Sequence, residues 1–165
     1  MSKLVFEQKT SRNGEVRDFY WNIFKFYLLL VGGLYLIFVL PAEARSSSGE
    51  FVFTTKITFE MIQKSMFLLM AFTLHMVPAK EQARTGVADK LMKIYIATML
   101  VAVNILGIIL CALAWNEMPK SLTEEQSLQM AEPRFKLKQE WLVGIAIIAF
   151  VVVAGTSFGL WRIHS

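Results

Sequence analysis

Long apolar runs, separated by short clusters of charged residues, dominate the chain. A helix needs about 20 residues to cross a hydrocarbon core of about 30 Å. The runs predict four membrane-spanning helices, at about 20–40, 58–77, 91–115 and 141–161. The second run is the least apolar, because Glu60, Gln63 and Lys64 make its first turns polar. An interfacial or re-entrant helix is the alternative for that run.

Composition agrees with this pattern. Hydrophobic residues make up 55% of the 165 residues and charged residues only 18%. A soluble domain of this size could not bury that much apolar surface in one core. We therefore expect an all-α, polytopic membrane protein that forms a single domain over residues 1–165. The net charge of +4 is explained by loop residues near lipid headgroups, and nucleic-acid binding is not expected.

The distribution of lysine and arginine predicts the orientation. With four crossings, both termini and the Pro78–Lys90 loop share one side, which then carries ten of the 17 basic residues. The opposite side carries seven. Because lysine and arginine favour the cytoplasmic side, we expect both termini in the cytoplasm.

Three segments outside the helices leave alternatives open. The run that ends at Leu40–Ala44 also resembles a secretory signal with an Ala-x-Ala cleavage site, although acidic residues near the N-terminus favour a retained helix. The arm Met1–Asp18 is a frayed tail or a membrane-surface helix, and the segment 51–57 is either extended or amphipathic. Ser121–Glu124 fits a capping box that opens a short helix.

Tryptophan, glycine and asparagine mark the expected contacts of the helices. Tryptophan is enriched at membrane–water interfaces, and all four tryptophans fall at predicted ones: Trp21, Trp115, Trp141 and Trp161. Small and polar residues join helices within lipid. The sequence therefore predicts helix packing at Gly32, Gly33, Asn104, Gly155 and Gly159, with hydrogen bonding between helices by Thr156 and Ser157.

The sequence contains no pattern typical of a catalytic or metal site. Metal binding requires clustered ligands, whereas His75 and His164 are distant in sequence. We interpret His75 as an interfacial residue or a hydrogen-bond donor, and the single cysteine, Cys111, as a packing residue. We expect no enzyme activity, cofactor or metal. For Asn104, a contact that joins two helices is favoured over a transport site.

Three stretches resemble one known family. They are Met61–Leu69, Leu74–Lys80 and the final helix, Gly144–Leu160. These stretches resemble the small four-helix membrane subunit of tripartite ATP-independent periplasmic (TRAP) transporters, and most closely the four-helix part of fused TRAP membrane proteins.

The resemblance implies a scaffold, in a bacterial inner membrane, that supports a larger, multi-helix transport subunit. In such a system a periplasmic substrate-binding protein delivers an organic anion. The loops 41–57 and 116–140 would then lie near the docking surface for that protein, with Lys120, Arg134, Lys136 and Lys138 as candidate docking residues. The alternative is an accessory or assembly subunit of another membrane complex, such as a respiratory enzyme.

Overall fold

The computed structural model describes residues 19–45, 49–121 and 137–164. Within those ranges the chain forms helices and connecting turns, with one isolated bridge between Arg45 and Phe51 and no strand. Three helices are long and apolar enough to cross a membrane: Phe19–Glu43, Thr55–His75 and one over Gln139–Ile163. The prediction of an all-α fold is therefore confirmed for the described residues, and three helices, not the expected four, are long and apolar enough to cross a membrane.

Helices α1 and α2 are joined by a short loop. Helix α1 (Phe19–Glu43) contains a widened, π-helical turn at Tyr35–Val39. Helix α2 (Thr55–His75) begins after Thr54, whose hydroxyl accepts a hydrogen bond from the Ile57 amide at 3.3 Å. That bond satisfies one of the amides that have no partner at a helix start. Two structures were expected for the segment 51–57: Phe51 forms the bridge, residues 52–54 are irregular, and residues 55–57 belong to α2.

The segment expected as one helix at about 91–115 instead forms a hairpin of two helices. Helix α3 (Val87–Val101) ends at a tight turn, and α4 (Ile105–Glu117) runs back beside it. Two contacts fix the antiparallel direction: the Trp115 indole donates to Asp89 at 2.7 Å, and Cys111 Sγ lies 3.6 Å from the carbonyl oxygen of Met92. This segment therefore returns to the end of the bundle from which it started.

The chain reverses at Ala102–Asn104, which we call the tip of the hairpin. The amide of Asn104 donates to the carbonyl of Met99 at 2.9 Å, and Val103 has a φ of 52°. The Asn104 side chain then accepts a hydrogen bond from the Gly107 amide at 2.9 Å, so it caps α4. Asparagine is among the best residues for this role, and its cap stabilises a new helix start where a continuous helix was expected.

The base of the hairpin lies beside the start of α1. The amide of Tyr20 donates to Glu117 at 2.6 Å, and the amide of Arg84, just before α3, donates to the carbonyl of Pro119, just after α4, at 2.9 Å. Residues Arg84 and Pro119 are thus neighbours at one end of the bundle. We call this the base end and the opposite one the far end.

The last helix, α5 (Gln139–His164), runs from the base end to the far end. It is antiparallel to α2, because Gln63 contacts Ser157 and Phe59 contacts Gly159. The tip residues border the same cavity as Ala154 of α5, ten residues before the end of that helix. The two ends of the described helical bundle, at Phe19 and His164, consequently lie at opposite ends of the molecule.

The five helices form a closed ring in the order α1, α2, α5, α3, α4. Their inward faces bury one apolar cluster, and its largest fully buried members are Phe24, Leu28, Phe67, Met70, Leu74, Leu91, Met92, Tyr95, Met99 and Leu142. Because the hairpin stops below the far end, only α1, α2 and α5 continue beyond its tip.

Candidate functional site

The tip of the hairpin is held by one polar contact to a spanning helix. The Tyr27 hydroxyl of α1 donates to Asn104 Oδ1 at 2.6 Å. The same oxygen caps α4, so one asparagine both starts a helix and joins it to α1. Asn104 therefore lies at a helix contact, the position that the sequence favoured over a transport site, although the second helix that it starts was not foreseen.

Charged residues gather at the base of the hairpin. Asp89 accepts hydrogen bonds from Trp115 and Lys93, the latter at 2.7 Å, and the Arg84 guanidinium stacks over the Trp115 ring at 5.4 Å. Partial burial would raise the pKa of Asp89, but these two hydrogen bonds and the charges of Lys93 and Arg84 lower the pKa below its ordinary value. The base is thus stabilised by an ionised carboxylate.

A second polar pair lies between two spanning helices. Gln63 of α2, which is only 7% exposed, donates from Nε2 to Ser157 Oγ of α5 at 2.8 Å. Ser157 therefore hydrogen-bonds across helices as predicted, whereas Thr156 donates to the carbonyls of Val152 and Val153 within its own helix. Gln63 and Ser157 also face a cavity of about 620 Å³ at the hairpin tip.

A cluster of ionisable side chains lies where α1 meets α2. The Tyr35 hydroxyl is 3.0 Å from Glu60 and 3.2 Å from Glu43, and Lys56 pairs with Glu60 at 3.8 Å. The π-helical turn that begins at Tyr35 widens the helix at this point. Glu60 lies in the second turn of α2, so these groups lie within a spanning helix and not at its first turn.

The predicted packing glycines divide into two sets. Gly32 and Gly159 are used inside the bundle: a Cβ on Gly32 would lie 2.8 Å from the Lys64 carbonyl oxygen, and one on Gly159 would meet the Phe59 ring. A Cβ on Gly33 or Gly155 would meet no atom of the described residues within 4 Å, and Gly155 is exposed. Gly33 and Gly155 therefore have open space beside them in the described bundle.

The four tryptophans also differ from one another. Trp141 and Trp161 are 65% and 66% exposed at the two ends of α5, about 30 Å apart along the helix, which suits interfacial anchoring. Trp21, in contrast, is buried in the core, where its indole nitrogen has no hydrogen-bond partner among the described residues. Trp115 lies at the base of the hairpin and not at the far end, because the chain turns back at Asn104.

The remaining candidates lie apart from one another. His75 ends α2 and is exposed, and Cys111 is buried against Met92. Lys120 and Lys138 lie near the base end, whereas the expectation placed them at the opposite face from the Pro78–Lys90 loop. Arg134, Lys136, the short helix expected after Ser121 and the arm Met1–Asp18 lie outside the described residues.

Among the residues that the structure describes, no group of three or more His, Cys, Asp or Glu side chains could hold a metal ion. The arrangement supplies hydrogen bonds between helices and a cavity with neutral polar groups.

The hairpin was not expected from the sequence, although one signal was present. Asn104 is the only strongly polar residue of the 91–115 run beyond its first turn, and it stands three residues before Gly107. Comparison with protein-family models, curated proteins and solved structures finds no match to this chain.

Proposed function

We propose that the protein is a non-catalytic scaffold subunit that supports a larger partner within a membrane. The observation that carries this proposal is a glycine-bearing face on α5. A Cβ placed on Gly144 or Gly155 would meet no atom of the described residues within 4 Å. Ile148 and Val151, which lie between these glycines on the same face, are 60% and 59% exposed. Glycines on an apolar face let another helix approach closely in lipid, where packing drives association.

The hairpin supports a membrane arrangement with three crossings. The hairpin begins and ends at the base end, so the segment that links α4 to α5 would stay on the side of the N-terminus. Relative to four crossings, this moves Lys120, Arg134, Lys136 and Lys138 to that side and Arg162 to the other. The base end then carries 13 of the 17 basic residues and the far end four. This bias is much stronger than ten against seven, and it favours a cytoplasmic base end.

The narrower form of the proposal is a scaffold for a TRAP-type transporter of organic anions in a bacterial inner membrane. Its support is the resemblance in α2 and α5. With a cytoplasmic base end, the loop between α1 and α2 and the end of α5 would meet the periplasmic binding protein, and Lys120 and Lys138 would not. The alternative is an accessory subunit of another complex, such as a respiratory enzyme, which the same glycine-bearing face would serve.

Co-purification tests the proposal. The tagged full-length chain is extracted from its native membrane in mild detergent, and the proteins recovered with it are identified by mass spectrometry. We expect one larger multi-helix protein at near-equal amount. Recovery of a transport subunit supports the TRAP form, and recovery of redox subunits supports the alternative.

Variants of the glycine-bearing face make the test specific. Replacing Gly144 and Gly155 together by leucine should reduce the recovered partner by about ten-fold, because side chains on these positions keep a partner helix at a distance. Ile148→Leu, on the same face, is the matched control and should retain the partner. A wild-type chain recovered alone as a stable monomer contradicts the scaffold proposal.

A further inference from the structure

An open cavity lies beside the tip of the hairpin, between the tip, α2 and the last part of α5. The hairpin turns back there while α2 and α5 continue, so hairpin side chains do not fill the space beyond its tip. The resulting space measures about 620 Å³ and is lined by Gln63, the segment Val101–Val103 and the α5 residues between Ala154 and Trp161. This volume lies within the range of small-molecule sites in proteins.

The lining is mostly apolar and includes two neutral polar side chains. Val103 and Phe158 are 78% and 60% exposed, and no charged residue of the described ranges borders the space. Gln63 and Ser157 supply the polar side chains. Because Gln63 donates its amide to Ser157, the serine hydroxyl hydrogen remains directed elsewhere and can donate to a ligand.

The hairpin tip adds acceptors to the same cavity. Among the described residues, the backbone hydrogen bonds of the turn use the carbonyls of Thr98, Met99 and Leu100 at the end of α3, and none uses those of Val101, Ala102 or Val103. In the hydrocarbon region, a backbone N–H or C=O group that has no hydrogen-bond partner destabilises the protein by several kcal/mol. Irregular backbone is tolerated there where it borders a polar occupant or lies within protein.

We propose that this cavity binds a neutral, hydroxyl-bearing amphiphile, such as a long-chain alcohol. A hydroxyl both donates and accepts, so it can donate to a tip carbonyl and accept from Ser157. The apolar body of the ligand lies against Val103 and Phe158. A carboxylate is disfavoured, because the described lining offers no cation to balance its charge in a water-poor environment. The inference goes beyond the scaffold role and does not depend on it.

Photolabelling of the purified full-length chain in nanodiscs tests the site. The probe is a long-chain alcohol with a diazirine in its chain, and the matched probes are the corresponding alkane and fatty acid. We expect the alcohol to label the tip and the 154–161 segment several-fold more strongly than either matched probe does. Addition of the unlabelled alcohol should suppress this labelling by competition.

Two variants separate the polar contact from the shape of the cavity. Ser157→Ala removes one hydroxyl and should reduce labelling by the alcohol about five-fold, while labelling by the alkane stays unchanged. Ala154→Phe should fill the cavity and reduce labelling by all three probes. Ile147→Phe, on the lipid-facing side of α5, is the control and should change neither result. Elution volume and helical circular dichroism confirm that each variant is folded.

Three outcomes overturn the proposal. The first is equal labelling by alcohol and alkane, which indicates ordinary lipid contact. The second is label spread evenly along the exposed face of α5. The third is labelling that Ser157→Ala leaves unchanged although the variant is folded. If a co-purified partner helix fills the cavity, the complex shows no label at the tip, and the site as proposed is excluded for the assembled protein.

Discussion

At the scale of single residues, neighbouring positions of the same type have different surroundings. Gly32 and Gly33 are adjacent and were predicted to have the same role, yet only Gly32 lies against α2 within the described bundle. The sequence indicated close packing by this pair but could not say which glycine faces inward. That depends on the rotation of α1 about its own axis, which tertiary contacts such as Tyr27 with Asn104 determine.

The pair provides a matched test of this packing. Gly32→Ala should lower the free energy of unfolding by about 1–3 kcal/mol, because the new methyl group would collide with the Lys64 carbonyl and the Leu68 side chain. Gly33→Ala meets no neighbouring atom of the described residues and should leave stability unchanged or slightly higher, since alanine is the better helix former. Thermal unfolding in a single detergent measures both variants. Equal destabilisation by the two would contradict the orientation of α1.

At the scale of elements, apolar run length located three helices well and misread the third run along the chain. The expected helices at about 20–40, 58–77 and 141–161 overlap α1, α2 and α5 closely. The run at 91–115 is apolar enough to suggest a crossing, but run length does not reveal a reversal without glycine or proline. The turn instead depends on the Asn104 cap and on a valine held at positive φ, which requires support from the rest of the bundle.

Substitution at the turn distinguishes a hairpin from a straight helix. A non-glycine residue in the left-handed region costs about 1–2 kcal/mol, so Val103→Gly should stabilise the protein by about 0.5–1 kcal/mol after the entropic cost of glycine is subtracted. In a straight helix the same change would destabilise by about 0.5 kcal/mol. Val101→Gly, in the last turn of α3, is the control and should destabilise. Chemical unfolding in detergent gives the sign for both variants.

At the scale of the whole molecule, the direction of α5 sets where the ends of the bundle lie. From the pattern of runs alone, the basic residues divide ten to seven, because the 116–140 segment is placed on the side opposite to the N-terminus. The hairpin brings Pro119 back to the base end, and under the proposed three crossings the same residues would divide 13 to four. The charge pattern contained this information, but it could be used only once the reversal at Asn104 was known.

Accessibility labelling in cells tests the arrangement. With Cys111→Ala as the background, single cysteines at Glu50, Lys120 and Arg162 are treated with a membrane-impermeant maleimide. We expect labelling at positions 50 and 162 in cells with a permeable outer envelope, and at position 120 only after the membrane is opened. Labelling of position 120 from outside, together with protection of position 162, would instead support four crossings.

The hydrogen bond between Arg84 and Pro119 has a consequence for biosynthesis. The chain enters and leaves the hairpin at the same end. In the proposed three-crossing arrangement, the insertion machinery would therefore not have to translocate the charged stretch between α4 and α5, and the loop after α1 and the residues that follow α5 would be the parts that pass through the hydrocarbon. The hairpin packs against α1 through α4 and against α5 through α3, so the surface that receives it is completed only after α5 has been synthesised.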